Sequence, residues 1–260
     1  MTPICKNLRK DILNFSHISG HGHIPSSFSV VEIIYAVYES IQHRPKEPKW
    51  DKRDIFILSK GHAALTHYCV LAEAGYFDAS CISSFGAFLS NFGCHACRCK
   101  VPGVEVSTGS LGHGIGISVG IALAAKIQKS DRRVFVLIGD GEANEGVVWE
   151  SIMVAINIKL DNLVVIYDNN TSQLRGLQIL NPEEKFMSFG CSVANVNGHD
   201  VDALKSELAK KSDKLKVIIA NTKKGYGCKT FVENHHEWHR RSPNKAELAH
   251  LLGELDAEAI

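Results

Sequence analysis

Val134-Phe135-Val136-Leu137-Ile138-Gly139-Asp140-Gly141-Glu142 and, further along, Leu163-Val164-Val165-Ile166-Tyr167-Asp168-Asn169-Asn170 decide how this chain folds. Each is a short, unbroken apolar run that ends in a polar tip. Runs of that length rich in β-branched residues are buried strands, the kind found in parallel sheets covered on both faces. Between the two runs, residues 144–158 carry apolar side chains at helical spacing. A helix of about 15 residues climbs roughly 22 Å, and a short strand with its loops returns about as far. A right-handed strand–helix–strand unit therefore sets Asp140 and Asn170, 30 positions apart, at neighbouring strand ends.

Working outward, Ile55–Leu58 and Val217–Ala220 read as further buried strands. Residues 62–74, 114–129 and 200–211 read as helices, and Lys245–Leu255 as a terminal one. Val30, Val31, Ile33, Ile34, Val37, Tyr38 and Ile41 recur at helical spacing, and Arg44-Pro45-Lys46-Glu47-Pro48 would end that helix, since proline cannot continue the hydrogen-bond ladder. Strands alternating with helices imply an α/β fold, a parallel sheet with helices on both faces. No repeat or linker interrupts residues 1–260, so a single domain is expected. In such sheets ligands bind beyond the carboxyl ends of the strands. The chain puts its polar or glycine-rich tips there: Ser59-Lys60-Gly61-His62, Gly139-Asp140-Gly141-Glu142, Asp168-Asn169-Asn170 and Thr222-Lys223-Lys224-Gly225.

Composition excludes several classes. With 45% hydrophobic and 22% charged residues the chain is an ordinary globular one. A formal charge of +1 removes the basic surplus that a nucleic-acid partner requires. No apolar run is long enough to span a membrane, and the first residues carry no signal-like segment, so neither a membrane association nor secretion is expected. Eight cysteines in this setting read as reduced thiols of a cytoplasmic protein. No Gly-x-Gly-x-x-Gly follows the first strand, which argues against a dinucleotide-binding dehydrogenase.

The side chains of Asp140 and Asn170 offer a carboxylate and an amide oxygen, which suit a hard divalent cation such as Mg²⁺ or Ca²⁺ whose shell phosphate oxygens and water would complete. From Gly139-Asp140-Gly141 to Asn169-Asn170 the chain resembles the thiamine-diphosphate motif. It also resembles the amino-terminal, diphosphate-binding half of transketolases, and most of all the separately encoded amino-terminal subunit of split transketolases, from about Leu13 to Asn244. The supporting motifs come in family order: Ser19-Gly20-His21-Gly22-His23-Ile24, Phe56-Ile57-Leu58-Ser59-Lys60-Gly61-His62, Pro102-Gly103-Val104-Glu105, Ser107-Thr108-Gly109-Ser110-Leu111-Gly112 and Glu237-Trp238-His239.

The resemblance implies roles. Asp140, Asn170 and the carbonyl of Ser172 would ligate Mg²⁺ or Ca²⁺. His62, Gly141, Glu142 and Lys224 would lie at the diphosphate, and Gly109, Ser110 and Leu111 along the rings of thiamine diphosphate. His23, His95 and His239 would surround the reacting atoms of a sugar or keto substrate, with His239 also near the cofactor; imidazole suits proton movement near neutral pH. The implied activity is transfer of a two-carbon ketol unit from a ketose-type donor to an aldehyde acceptor. The same resemblance expects no pyrimidine-binding or C-terminal domain within this chain. The glutamate that activates the cofactor would come from a partner, a C-terminal transketolase-like subunit in an α₂β₂ assembly. Another thiamine-diphosphate carboligase, a 2-oxo acid decarboxylase subunit, or a non-catalytic regulatory subunit shares the Asp140/Asn170 core.

Several positions depart from the family or carry a second reading. Pro25 follows His23-Ile24 where relatives have small residues, so a reshaped wall beside His23 is expected. Cys94-His95-Ala96-Cys97-Arg98-Cys99 has zinc-ligand residue types, but four ligands within six positions are cramped, and uncoordinated thiols are expected. Glu145 reads equally as an interface glutamate or as an acid opposing the helix dipole. His113 replaces a glutamine common in relatives. For His21, His43, His67, His199, His235, His236 and His250 no special role is expected.

Overall fold

The computed structural model describes residues 1–173 and 176–257. Five strands, β1 (Ile55–Leu58), β2 (Val134–Gly139), β3 (Leu163–Asn169), β4 (Ser192–Asn197) and β5 (Lys216–Asn221), form one parallel sheet in the order β1-β2-β3-β5-β4. Gly139 pairs with Asp168 in the register of β2 on β3, so Asp140 and Asn170 do emerge from adjacent strand ends.

Ten α-helices cover the sheet among the described residues: α1 (Pro3–Ser19), α2 (Ile24–Phe28), α3 (Val31–Tyr38), α4 (Ala64–Glu73), α5 (His113–Ile127), α6 (Gly146–Asn157), α7 (Pro182–Ser188), α8 (Val201–Ala209), α9 (Lys229–Asn234) and α10 (Lys245–Ala257). The strands alternate their side chains between two cores. Phe56, Leu58, Phe135, Leu137, Ile166 and Ile218 face α1–α4 and α8–α10. Ile57, Val136, Ile138, Val165, Tyr167 and Ile219 face α5–α7. Both faces are thus dry, as the apolar runs require.

Three differences from the sequence reading have physical causes. Strand β4, Ser-Val-Ala-Asn-Val-Asn, carries no apolar run because it lies half-exposed at the sheet edge. Helix α1 lies outside the elements expected from apolar spacing, although Thr2 caps it, accepting the Cys5 N–H, and Pro3 opens it. Helix α3 stops at Tyr38, before the prolines. There the Ser40 hydroxyl donates to the Ala36 carbonyl at 2.7 Å, and the Asp54 carboxylate accepts the Gln42 N–H at 3.0 Å, drawing the chain toward β1.

Candidate active site

The four polar tips meet at the carboxyl edge of the sheet around a cleft of roughly 330 Å³. It is lined by His23, His62, His95, His239, Gly109, Leu111, Asp140, Gly141, Glu142, Asn170, Ser172 and Lys224, and also by Ser26, Lys60, Gln173 and Arg240. Of the expected site residues only Ser110 stands outside the lining, exposed on its loop.

At the floor of one end lies Asp168, fully buried on β3. Its carboxylate accepts from Lys60 Nζ at 2.5 Å, Ser29 Oγ at 2.9 Å, Asn170 Nδ2 at 2.7 Å and Thr222 Oγ1 at 2.5 Å. Burial alone would raise this carboxyl, but the Lys60 charge and these donors outweigh it and hold it below the ordinary range. Because both amide hydrogens of Asn170 point to Asp168 and Ser29, its Oδ1 is left to face the other way, where it accepts the Ser172 N–H at 3.0 Å. The Ser172 hydroxyl in turn donates to Asp140 at 2.6 Å, and Asp140 also accepts the Gly141 N–H at 2.7 Å. Asp140, Asn170 and Ser172 are therefore contiguous, an all-oxygen set of the kind Mg²⁺ takes.

Glu142 is buried beside them and accepts from the Ser59 hydroxyl, the Gly112 N–H at 2.7 Å and the Gly139 N–H at 3.1 Å. Burial raises its carboxyl against these donors. Its side chain ties the ends of β1 and β2 to the Gly109–Gly112 loop. Lys224, after β5, is pushed down to about 8 by burial and by the Lys60 charge, with Asp140 and Asp168 pulling the other way. An anion beside it would raise it again and hold its charge.

The other end is lined by imidazoles. His23 lies 5.7 Å from His62 and 5.2 Å from His239, centroid to centroid. His23 holds a left-handed backbone, φ 65°, fixed where its N–H meets the His239 carbonyl at 3.0 Å. Gly22 admits that contact, because a Cβ there would strike the Arg240 backbone. His95 is laid against Gly109, whose φ of 155° and lack of a side chain leave room for the ring. Burial pushes His23 down to about 4, aided by the charges of His239 and His95. His239 is lowered by burial and Lys224, and His62 lies well below its ordinary value through burial and Lys60. None of these four rings makes a side-chain hydrogen bond among the described residues.

Two of the departures from the family pattern find their place here. Pro25 lies in the first turn of α2 and is buried behind the cleft, its carbonyl accepting the Gly225 N–H at 3.0 Å. It does not line the wall beside His23. Cys94 and Cys97 are half-buried and Cys99 exposed, all as free thiols. No three His, Cys, Asp or Glu side chains among the described residues come together as a metal site.

The family model for the thiamine-diphosphate-binding domain of transketolase matches residues 4–256. The chain belongs to the transketolase family. It is 39% identical, over 95% of its own length and 92% of the relative's, to one of the subunits of apulose-4-phosphate transketolase from Actinobacillus succinogenes. It is 34% identical, over 92% of its length and 90% of the relative's, to subunit SqwG of a 6-deoxy-6-sulfo-D-fructose transketolase from a Clostridium species. Among solved structures, the transketolase of Campylobacter jejuni superposes with a TM-score of 0.88 at 28% identity, over 97% of this chain but 43% of that one. This transketolase-family chain is therefore a transferase component of the same kind as those separate subunits, built around a thiamine-diphosphate-binding domain. Two central residues of the site, Lys60 and Asp168, stand in the sequence only as members of loop tips. A lysine and an aspartate closing two otherwise apolar strands are the signal that could single them out.

Proposed function

We propose that this chain is the amino-terminal, diphosphate-binding subunit of a two-chain transketolase that moves a two-carbon ketol unit from a ketose-type donor to an aldehyde acceptor. The observation that carries the reading is the meeting, in one cleft, of the Asp140–Asn170 pair and Lys224 with His23, His62, His95 and His239. The donor set fits the cofactor: Asp140, Asn170 Oδ1 and the Ser172 carbonyl would hold Mg²⁺ or Ca²⁺, whose charge would offset that of the diphosphate. Lys224 and the neutral His62 would bind its oxygens, a cation giving charge and an imidazole giving one N–H. Gly109 and Leu111 would bracket its rings. When bound, thiamine diphosphate supplies the carbon that carries the two-carbon unit.

The chain's own contribution on the sugar side is proton handling. His23 and His239 are held neutral by burial, so each can accept a proton from a hydroxyl or donate one hydrogen bond to a carbonyl oxygen. His95 would stand at the same substrate. The relatives named as separate transketolase subunits support a partner carrying the pyrimidine-binding domain and its activating glutamate, and we propose an α₂β₂ assembly. The eight free cysteines support a cytoplasmic setting. Mixed with that partner, Mg²⁺ and thiamine diphosphate, the chain should convert a ketose and an aldehyde into a product two carbons longer than the aldehyde. Release of CO₂ in place of ketol transfer would overturn the reading in favour of a 2-oxo acid donor.

A further inference from the structure

Lys224 sits in a turn, Lys223–Tyr226, whose hold on the rest of the protein runs through buried groups from distant parts of the chain. Arg9 on α1 and Glu32 on α3 are wholly buried and paired in two parallel bonds of 2.6 and 2.8 Å. Burial would raise the Glu32 carboxyl, but Arg9 and His199 together hold it at about 2. Arg9 also donates through Nε to the Tyr226 carbonyl at 2.8 Å. His199, in the loop between β4 and α8, lies 3.1 Å from Glu32 Oε2 through Nδ1 and accepts the Lys223 N–H on Nε2 at 2.8 Å. Its ring stacks on Tyr226 with centroids 3.7 Å apart. Since Nε2 accepts, the ring proton is on Nδ1 and points at Glu32. Each ring nitrogen has one partner, so the imidazole has one orientation.

We infer that His199 is a positioning residue for Lys224: the Arg9–Glu32–His199 relay fixes the Lys223 amide and thereby aims the next side chain into the diphosphate end of the cleft. The inference rests on the assignment of Lys224 to the cofactor's diphosphate. Nothing in the spacing of the Asn197-Gly198-His199-Asp200 segment distinguishes this histidine from an ordinary loop residue. Its role comes from two hydrogen bonds made in opposite senses, to a buried carboxylate and from the backbone of a site loop. Removing the acceptor frees the turn on one side while the Pro25 carbonyl still holds the Gly225 N–H. The turn would persist but the aim of Lys224 would loosen, which weakens cofactor affinity and leaves the chemistry at saturation unchanged.

The test uses the chain assembled with its partner and reads the half-saturating concentration of thiamine diphosphate, kcat at saturation and the melting temperature. His199→Phe keeps the stack on Tyr226 and loses both hydrogen bonds. It should raise the half-saturating concentration about tenfold with kcat unchanged. His199→Gln restores a donor toward Glu32 and an acceptor toward Lys223 and should lie within about twofold of the parent. Lys224→Met should raise the value at least as much as His199→Phe, and the double variant should be no worse than Lys224→Met alone, as expected when one residue acts through the other. An unchanged half-saturation in His199→Phe, a Gln variant as poor as Phe, or full additivity in the double variant would each overturn the positioning role. If Lys224→Met itself changes nothing, the assignment of Lys224 to the diphosphate falls, and the relay with it.

Discussion

At the Asp140 end of the cleft the carboxylates and the Asn170 amide are bonded within the chain. Asp168 takes four side-chain donors, Asn170 is turned by two of its own, and Glu142 ties three backbone segments together. At the His239 end, four imidazoles line the cleft with no side-chain hydrogen bond among the described residues, His23 and His239 5.2 Å apart. The first region rests on strand ends buried between two cores; the second on a left-handed residue, a short turn and loops. The contrast separates two tasks. An anion and metal site gains from groups already fixed before the ligand arrives. Proton transfer gains from groups whose hydrogen-bonding capacity is left for the substrate.

If Asp168 is the hub of the first region, Asp168→Ala should leave the Lys60 ammonium buried without a counter-charge and lower the unfolding free energy by about 3–5 kcal/mol in urea titrations. A loss under about 1 kcal/mol would show that the hub is not what organises that end. The pH dependence has a definite sign. A carboxyl held below its unfolded value of about 3.9 adds stability above that pH and loses it as pH falls through the lower folded value. The parent should therefore lose stability below about pH 4 more steeply than Asp168→Ala. Asp140→Ala, by contrast, touches a ligand and not the hub: calorimetry with Mg²⁺ should find thiamine diphosphate bound at least about a hundredfold more weakly, with the melting temperature near the parent's. Equal affinity would remove Asp140 from the metal site.

The second region should respond in turnover. His239→Ala, assayed with the partner, should lower kcat by about a hundredfold while the half-saturating cofactor concentration changes little; the reverse pattern would move His239 to the diphosphate end. The smallest effect is spectroscopic. The His23 imidazole should titrate by NMR near 4, far below the ordinary 6.5 or so, and His239→Asn should raise that midpoint by removing a neighbouring positive charge. Because the folded form resists that proton, His23 adds stability above about 6.5 that is lost as pH falls toward 4. A midpoint near 6.5 would mean the ring is not desolvated.

The sheet centre is legible in the sequence because β1, β2, β3 and β5 are apolar runs, and Asp140 with Asn170 because one strand–helix–strand unit fixes their spacing. Strand β4 is not, since an edge strand needs no apolar run. The end of α3 depends on Asp54, which is near in sequence only to the next strand. Lys60 follows β1 and Asp168 lies near the end of β3, with β2 between them, so their pairing exists only once the sheet is assembled. His199 looks like any loop histidine until Glu32 and Lys223 close on it. What the local pattern shows is which residues reach the strand ends; which of them hold one another follows from strand order.

On the proposed reading, the diphosphate end is complete in this chain while catalysis is completed across two chains. Proton exchange at the C2 carbon of thiamine diphosphate, followed by NMR in D₂O with Mg²⁺, separates these two halves of the claim. Alone, the chain should bind the cofactor in an Asp140-dependent way yet leave C2 exchange at its solution rate, and addition of the partner should accelerate it to the rate of turnover. Exchange at catalytic rates with this chain alone would contradict the two-chain reading.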